Sequence, residues 1–265
     1  MLEQFILGAI QGIAEWLPIS SDGVIFLIKV KILQVPVDMQ KIMYDILFLH
    51  LGTFFAALVY FWKEVKHLIF SAFSYKKSRE EDRKTIWFIV LVTVISGVLG
   101  YLLLLWADQA TDDISGATQI FVIVVGLLLA LTGIIQLRAK NGGQKDAKDL
   151  KTKDSLLLGL VQGLSVLPGL SRSGLTVSAL LLTKFSKKSA LKLSFILSLP
   201  IVLAGNIILN FDQFLHLGWD NLLGILSAFV FGLITIKLLL KLADKINFGY
   251  FVLVFSALTI ISAFI

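Results

Sequence analysis

Apolar residues recur along this chain in runs too long for strands. Ile86–Trp106, Ile120–Leu137, Leu222–Ile236 and Tyr250–Ile265 are almost free of charge, and about 18 or more such residues in succession read as a helix that crosses a bilayer. Taken with the remaining runs, the pattern predicts spans at 44–62, 86–106, 115–137, 190–210, 222–241 and 249–265. Two further stretches differ. Phe5–Ile28 carries only the charges Glu15 and Asp22 and is broken at Pro18–Gly23, and Ser155–Thr183 carries only Arg172 and is broken at Pro168–Gly174. Pro168 and Gly169 leave halves of about 12–14 residues, too short to span. Non-helical backbone at membrane depth is tolerated only where protein or a polar cavity satisfies it. The expected fold is an all-α integral membrane protein with six transmembrane helices plus two re-entrant helical hairpins, at 2–33 and 155–184.

The charges orient these elements. Lys63–Lys84 carries seven Lys or Arg and Arg138–Lys153 carries six, whereas Ala107–Asp113 between them has three Asp and no cation. Cations concentrate on the cytoplasmic side, so both basic loops are placed inside. Lys151 and Lys153 precede the second hairpin, and Lys184, Lys187, Lys188 and Lys192 follow it, so it enters and leaves on the cytoplasmic side. The cation-free loop Phe211–Asn221 is placed outside, and Lys237, Lys241 and Lys245 bring the chain back inside. The first hairpin then opens outward, against the evidence of Lys29, Lys31 and Lys41.

Each unit is thus a hairpin followed by three spans, and an odd number of crossings reverses the second unit. Repeat one covers 1–137 and repeat two 155–265, joined by the basic loop 138–154 within one membrane domain. The loops themselves agree. Gln11-Gly12-Ile-Ala-Glu-Trp-Leu-Pro18-Ile-Ser-Ser-Asp-Gly23 parallels Gln162-Gly163-Leu-Ser-Val-Leu-Pro168-Gly-Leu-Ser-Arg-Ser-Gly174 with one gap. Inverted repeats with broken helices at matching positions point to a binding site where they meet.

Composition supports the membrane reading: 57% of residues are hydrophobic and 16% charged, against about 25% charged in soluble domains. There is no cysteine, which excludes disulfides and thiolate chemistry. The scattered His50, His67 and His216 do not suggest a zinc centre. The N-terminus lacks the basic start and cleavage site of a removable signal. The net charge of +6 resides in interhelical loops, which argues against nucleic-acid binding and for a multi-pass protein of the cytoplasmic membrane. Pairing as a homodimer is left open.

The chemistry concentrates in the two loops. Ser20, Ser21 and Gly23 precede one short apolar helix, and Ser171, Ser173 and Gly174 precede another. N–H groups at a helix start favour a phosphate or carboxylate, and glycine lets the backbone approach it. Arg172 adds a planar fork suited to phosphate oxygens, and a lone charge at depth marks a functional site, with Glu15 or the substrate as its partner. Glu15 lies one helical turn after Gln11 and could act as a general base or hold a divalent cation. Ser20, Ser21, Ser171 and Ser173 are each candidate nucleophiles or phosphate donors. Plainer roles compete. Asp22 reads as a helix N-cap, Asp45 as interfacial, and His50 as either a site residue or an interhelical hydrogen-bonding group. Gly97, Gly100, Gly126 and Gly133 read as close helix packing, and Trp16, Trp62, Trp87, Trp106 and Trp219 as interface markers.

In these motifs the chain resembles the undecaprenyl-diphosphate phosphatase family, the bacitracin-resistance proteins. Gln11-x-x-x-Glu15 followed by Leu-Pro-Ile-Ser-Ser matches the first family motif, and Pro168-Gly-Leu-Ser-Arg-Ser-Gly174 followed by Leu-Thr matches the second. His50-Leu-Gly-Thr53 and Leu193-Ser-Phe-Ile-Leu-Ser-Leu-Pro200 are also similar. The resemblance implies a phosphatase that removes the terminal phosphate of a C55 polyprenyl diphosphate with Mg²⁺ or Ca²⁺, recycling the lipid carrier for cell-wall synthesis. It implies that Gln11 and Glu15 form the acidic/amide motif, with Glu15 also a metal ligand, and that Ser20 and Ser21 form the hydroxyl loop. Arg172 corresponds to the phosphate-binding arginine. One departure stands out: the first motif usually ends Ser-Ser-x-Gly-His, and here that position is Val24. Asp22 and His50 are the candidates to supply what valine cannot, and a translocase that moves the lipid without cleaving it is the alternative.

Overall fold

The computed structural model describes residues 1–34, 39–111, 118–139, 142–167, 169–211, 218–242 and 248–264, and these residues are almost entirely helical. The first hairpin consists of α1 (Leu2–Ala14) and α2 (Ser21–Leu27), the latter prolonged by a π-helical turn at Ile28–Ile32. α3 (Met39–Tyr60), α4 (Trp62–Phe73), α5 (Glu80–Thr111) and α6 (Thr118–Arg138) follow. The second hairpin is α7 (Thr152–Leu164) and α8 (Arg172–Leu182), followed by α9 (Lys187–Leu209), α10 (Trp219–Leu242) and α11 (Phe248–Ser262). Among the described residues, four helices, α3, α5, α9 and α10, are long and apolar enough to cross a membrane, while the apolar parts of α6 and α11 are shorter. α1 and α7 have 13 residues each, about 20 Å at 1.5 Å per residue, less than a bilayer core of about 30 Å. Pro168, Asp112 and Asp113, most of the 211–221 loop, His216 and Lys245 lie outside the described residues.

The hairpins are exchanged between the halves of the chain. α1 packs along α10, and α7 packs along α5, so each hairpin leans on the second long helix after the other hairpin. The glycines that pair in the sequence repeat make this possible. A Cβ on Gly12 would lie 2.7 Å from the Ala228 carbonyl oxygen, and one on Gly163 would lie 2.9 Å from the Leu99 side chain. Without side chains there, the helices approach to backbone contact, the main source of helix association in lipid. α3 packs on α9 and α10, and α6 packs on α11, closing the bundle.

Several sequence expectations change here. Trp16 does not mark an interface: it is 2% exposed, packed edge-to-face on Phe195 at 4.8 Å beside Ala56 and Ala57. The turn after α1 carries it inward, where only a large flat ring fills the space between α3 and α9. Trp62, Trp87, Trp106 and Trp219 are exposed. Gly126 and Gly133 do permit close packing, against Ile260 and Leu253 of α11, but Gly97 and Gly100 instead line a cavity. Lys29, which counted against the outward-opening hairpin, is buried and ion-paired with Asp45 of α3. Asp45 is therefore a partner rather than an interfacial group, and one of the three opposing charges is neutralised.

The backbone contact at α1 and α10 sets a measurable expectation. Gly12→Leu should lower the thermal unfolding midpoint in detergent, by an overpacking cost of roughly 1–3 kcal/mol. Gly218→Ala, where a Cβ would meet no atom of the described residues within 4 Å, should leave it unchanged.

Candidate active site

Both loops begin a helix with a serine cap, and each cap reaches toward the other loop. Ser20 caps α2 by accepting from the Gly23 N–H at 3.2 Å, and it also accepts from the Gly169 N–H at 3.3 Å. Asp22 was expected to be this cap, but the extended backbone that a cap requires falls at Ser20. Ser171 caps α8 in the same way, accepting from the Gly174 N–H at 3.1 Å while donating to the Ile19 carbonyl at 3.1 Å. Ser173 donates to the Leu17 carbonyl at 2.8 Å, and Gln136 of α6 donates to the Pro18 carbonyl at 3.0 Å. Gly169, with φ +97, turns the second loop in a conformation reserved for glycine. Ser20, Ser171 and Ser173, expected at the phosphate, thus have their hydroxyls engaged in joining the loops, and the N–H groups of Gly23 and Gly174 serve the two caps.

The joined loops bring a compact charged cluster together. Arg172, the first residue of α8, pairs through Nη2 with Glu15 Oε1, although the two residues are 157 positions apart. Glu15 Oε2 accepts from Gln11 Nε2 at 3.0 Å and Ser21 Oγ at 2.8 Å, and it faces His50 Nε2 at 3.1 Å. His50 Nε2 also lies 3.4 Å from Asp22 Oδ1, and its Nδ1 lies 2.8 Å from the Ile46 carbonyl. Thus Gln11, Glu15, Ser21, Asp22, His50 and Arg172 converge. Ile46 and Gln136 also belong to the site's support, and no motif in the chain signalled them. Ser165 went unnoticed although it sits in the second loop beside the repeated Gln-Gly pair.

The cluster opens on two connected spaces. A polar pocket of about 30 Å³ is lined by Glu15, Ser20, Ser21, Asp22, His50, Ser165, Ser171, Arg172 and Ser173. Beside it is a cavity of about 260 Å³ whose walls are largely apolar, including Ile46, Leu47, Tyr101, Leu104, Ile201 and Ile208. Asp22, His50, Ser165 and Arg172 line both. Arg172 Nη1 is buried without a hydrogen-bond partner among the described residues, and a buried cationic donor left unpaired calls for an anion. The arrangement suits a ligand with an anionic head and an apolar tail.

Glu15 does not fit the expected metal role, because Oε1 is paired with Arg172 and Oε2 already has three polar neighbours. Among the described residues, no three His, Cys, Asp or Glu side chains are grouped so as to hold a metal ion.

A family profile described as "Bacitracin resistance protein BacA" matches residues 4–261. The chain belongs to this family. Proteins named undecaprenyl-diphosphatase are similar along nearly their whole length. One from Methanococcoides burtonii is 37% identical, covering 99% of this chain and 98% of the relative. Those from Haloarcula marismortui and Elusimicrobium minutum are 33% and 35% identical, covering 98% and 97% of this chain and 96% and 94% of the relatives. Within the BacA family pattern, Val24 is turned away from the charged cluster. It packs beside Ala14, Ile19, Val125, Leu129 and Val252, among residues of α6 and α11.

If the serine caps join the loops, removing one should loosen the site. Ser171→Ala should lower stability by about 1–2 kcal/mol, as loss of an N-cap and a buried hydrogen bond does. Chemical denaturation in detergent would measure it.

Proposed function

We propose that this protein is an undecaprenyl-diphosphatase: a membrane hydrolase that removes the terminal phosphate of a polyprenyl diphosphate and returns the monophosphate carrier to cell-envelope synthesis. The observation that carries this reading is Arg172, which lines both the polar pocket and the apolar cavity and keeps a buried Nη1 with no partner among the described residues. The relatives' shared name supports it.

In this reading Arg172 and the first turn of α8 bind the terminal phosphate. An incoming anion shares the guanidinium with Glu15, and a carboxylate that holds less of that positive charge becomes a better base. Ser21, whose hydroxyl donates to Glu15 at 2.8 Å, is the proposed nucleophile, since the other loop serines are engaged elsewhere. Its oxygen bonds to the terminal phosphorus, its proton passes to Glu15, and the bond from that phosphorus to the bridging oxygen breaks. Water then cleaves the phosphoserine, the proton held by Glu15 returns to the Ser21 oxygen, and inorganic phosphate is released. Gln11 holds Glu15 in place, and Asp22 borders the pocket. The Mg²⁺ or Ca²⁺ expected from the resemblance belongs to the proposal only as a companion of the diphosphate oxygens, and no step depends on it. The carboxylate–hydroxyl contact favours hydrolysis over bare translocation.

Six crossings with two re-entrant hairpins, in an inverted repeat of the cytoplasmic membrane with both basic loops inward, are supported by the exchanged packing of α1 on α10 and α7 on α5. The lengths of α1 and α7 agree with hairpins that turn back at mid-depth.

Purified protein should release phosphate from a polyprenyl diphosphate, and Arg172→Ala should reduce kcat/KM by about 10²–10³-fold, the loss typical of one charge-stabilising donor. Arg172→Lys should not restore it, because an ammonium cannot contact Glu15 and phosphate as a planar fork does. Wild-type release no faster than that of Arg172→Ala would refute the phosphatase reading.

A further inference from the structure

The proposed reaction needs a proton at the bridging oxygen as the prenyl monophosphate departs, and nothing assigned so far delivers it. Position 24 does not, since Val24 packs among apolar side chains of α6 and α11. We propose that His50, from α3, is the general acid that protonates this leaving group. The inference rests on the phosphatase reading.

Three observations carry it. First, His50 lines both the polar pocket and the apolar cavity. With the terminal phosphate at Arg172 and the prenyl chain in the apolar space, the bridging oxygen falls at their junction, which His50 borders. Second, with Glu15 and Asp22 ionised, the hydrogen bonding leaves one arrangement of protons. The Ile46 carbonyl only accepts, so Nδ1 carries a hydrogen at that 2.8 Å contact. Nε2, facing Glu15 at 3.1 Å and Asp22 at 3.4 Å, needs a second hydrogen to avoid setting a lone pair against carboxylate oxygens. Third, the charges then balance: Arg172 and a protonated His50 offset Glu15 and Asp22. Neutrality is what a cluster within a membrane protein requires. The nearby Lys29 is already matched by Asp45. Asp22, 3.4 Å from Nε2, and the Ile46 carbonyl, 2.8 Å from Nδ1, hold the ring at its two nitrogens.

The step balances. As the Ser21 oxygen bonds to the terminal phosphorus, the phosphorus–bridging oxygen bond breaks, and the Nε2 proton moves to the departing monophosphate. Neutral His50 then accepts a proton from the water that attacks the phosphoserine, which restores its starting form.

A substrate with sulfur in place of the oxygen between its two phosphorus atoms tests this, because a sulfur leaving group needs no proton. His50→Gln and His50→Asn should each lose about 10²–10⁴-fold in kcat on the oxygen-bridged prenyl diphosphate, the usual worth of a general acid. On the sulfur-bridged analogue of the same chain length they should fall within roughly tenfold of wild type. Equal losses on both substrates would make His50 a positioning residue and overturn the proposal, as would no loss on either. A sulfur-rescued loss in Asp22→Asn with none in the His50 variants would assign the acid to Asp22 instead. Wild-type protein inactive on the oxygen-bridged substrate would reject the phosphatase reading itself, an outcome distinct from these.

Discussion

The pairing of Glu15 with Arg172 is the contact on which the site depends. An isolated charge at membrane depth is costly, and these two charges come from different hairpins, 157 positions apart in the sequence. Each is tolerable only in the presence of the other. Removing one would leave a buried, uncompensated charge, a larger penalty than the pair itself is worth in stability. The pair therefore specifies that the two loops meet, and the serine caps fix how. Ser20 and Ser171 bond both within their own helix start and across to the other loop, so the same two side chains cap the helices and join the loops.

The same pair explains how a structural contact can also be a binding device. Arg172 uses one terminal nitrogen on Glu15 and leaves the other buried and unpaired. A phosphate that engages this second nitrogen adds an interaction without first breaking the contact that holds the loops together. The apolar cavity alongside gives an attached hydrocarbon a place next to the anion rather than across the bilayer from it. Binding geometry and membrane geometry are thus matched by the crossing of α3, α5, α7 and α9 around one point.

The imidazole in the charged cluster comes from α3 and not from the loop of the first hairpin. In the BacA family pattern an imidazole is usual at the end of the first motif, and this chain has Val24 there, facing α6 and α11. An imidazole nevertheless stands against the Glu15 carboxylate, supplied by the middle of α3. The space around a small polar pocket can be filled from several helices, so the requirement is for a group at a place rather than a residue at a position.

The all-helical class, the location of the helices and the two broken segments follow from the chain alone, because the length of an apolar run and the breaking power of Pro and Gly are local properties. The candidate residues Gln11, Glu15, Ser21, Asp22, His50 and Arg172 were legible for a related reason: a polar group in an apolar stretch is conspicuous. Their division of labour was not. That Ser20 rather than Asp22 caps α2, that Trp16 is core, and that Lys29 is matched by Asp45 depend on which helices become neighbours. His50 stood equally well for a packing or a site residue until α3 was placed beside α1, since a helix in lipid has no wet face to reveal its direction. The sequence determined which groups had to be brought together out of the bilayer, through the cost of leaving them alone; only the tertiary structure decided which partner each received, because those partners lie on other helices.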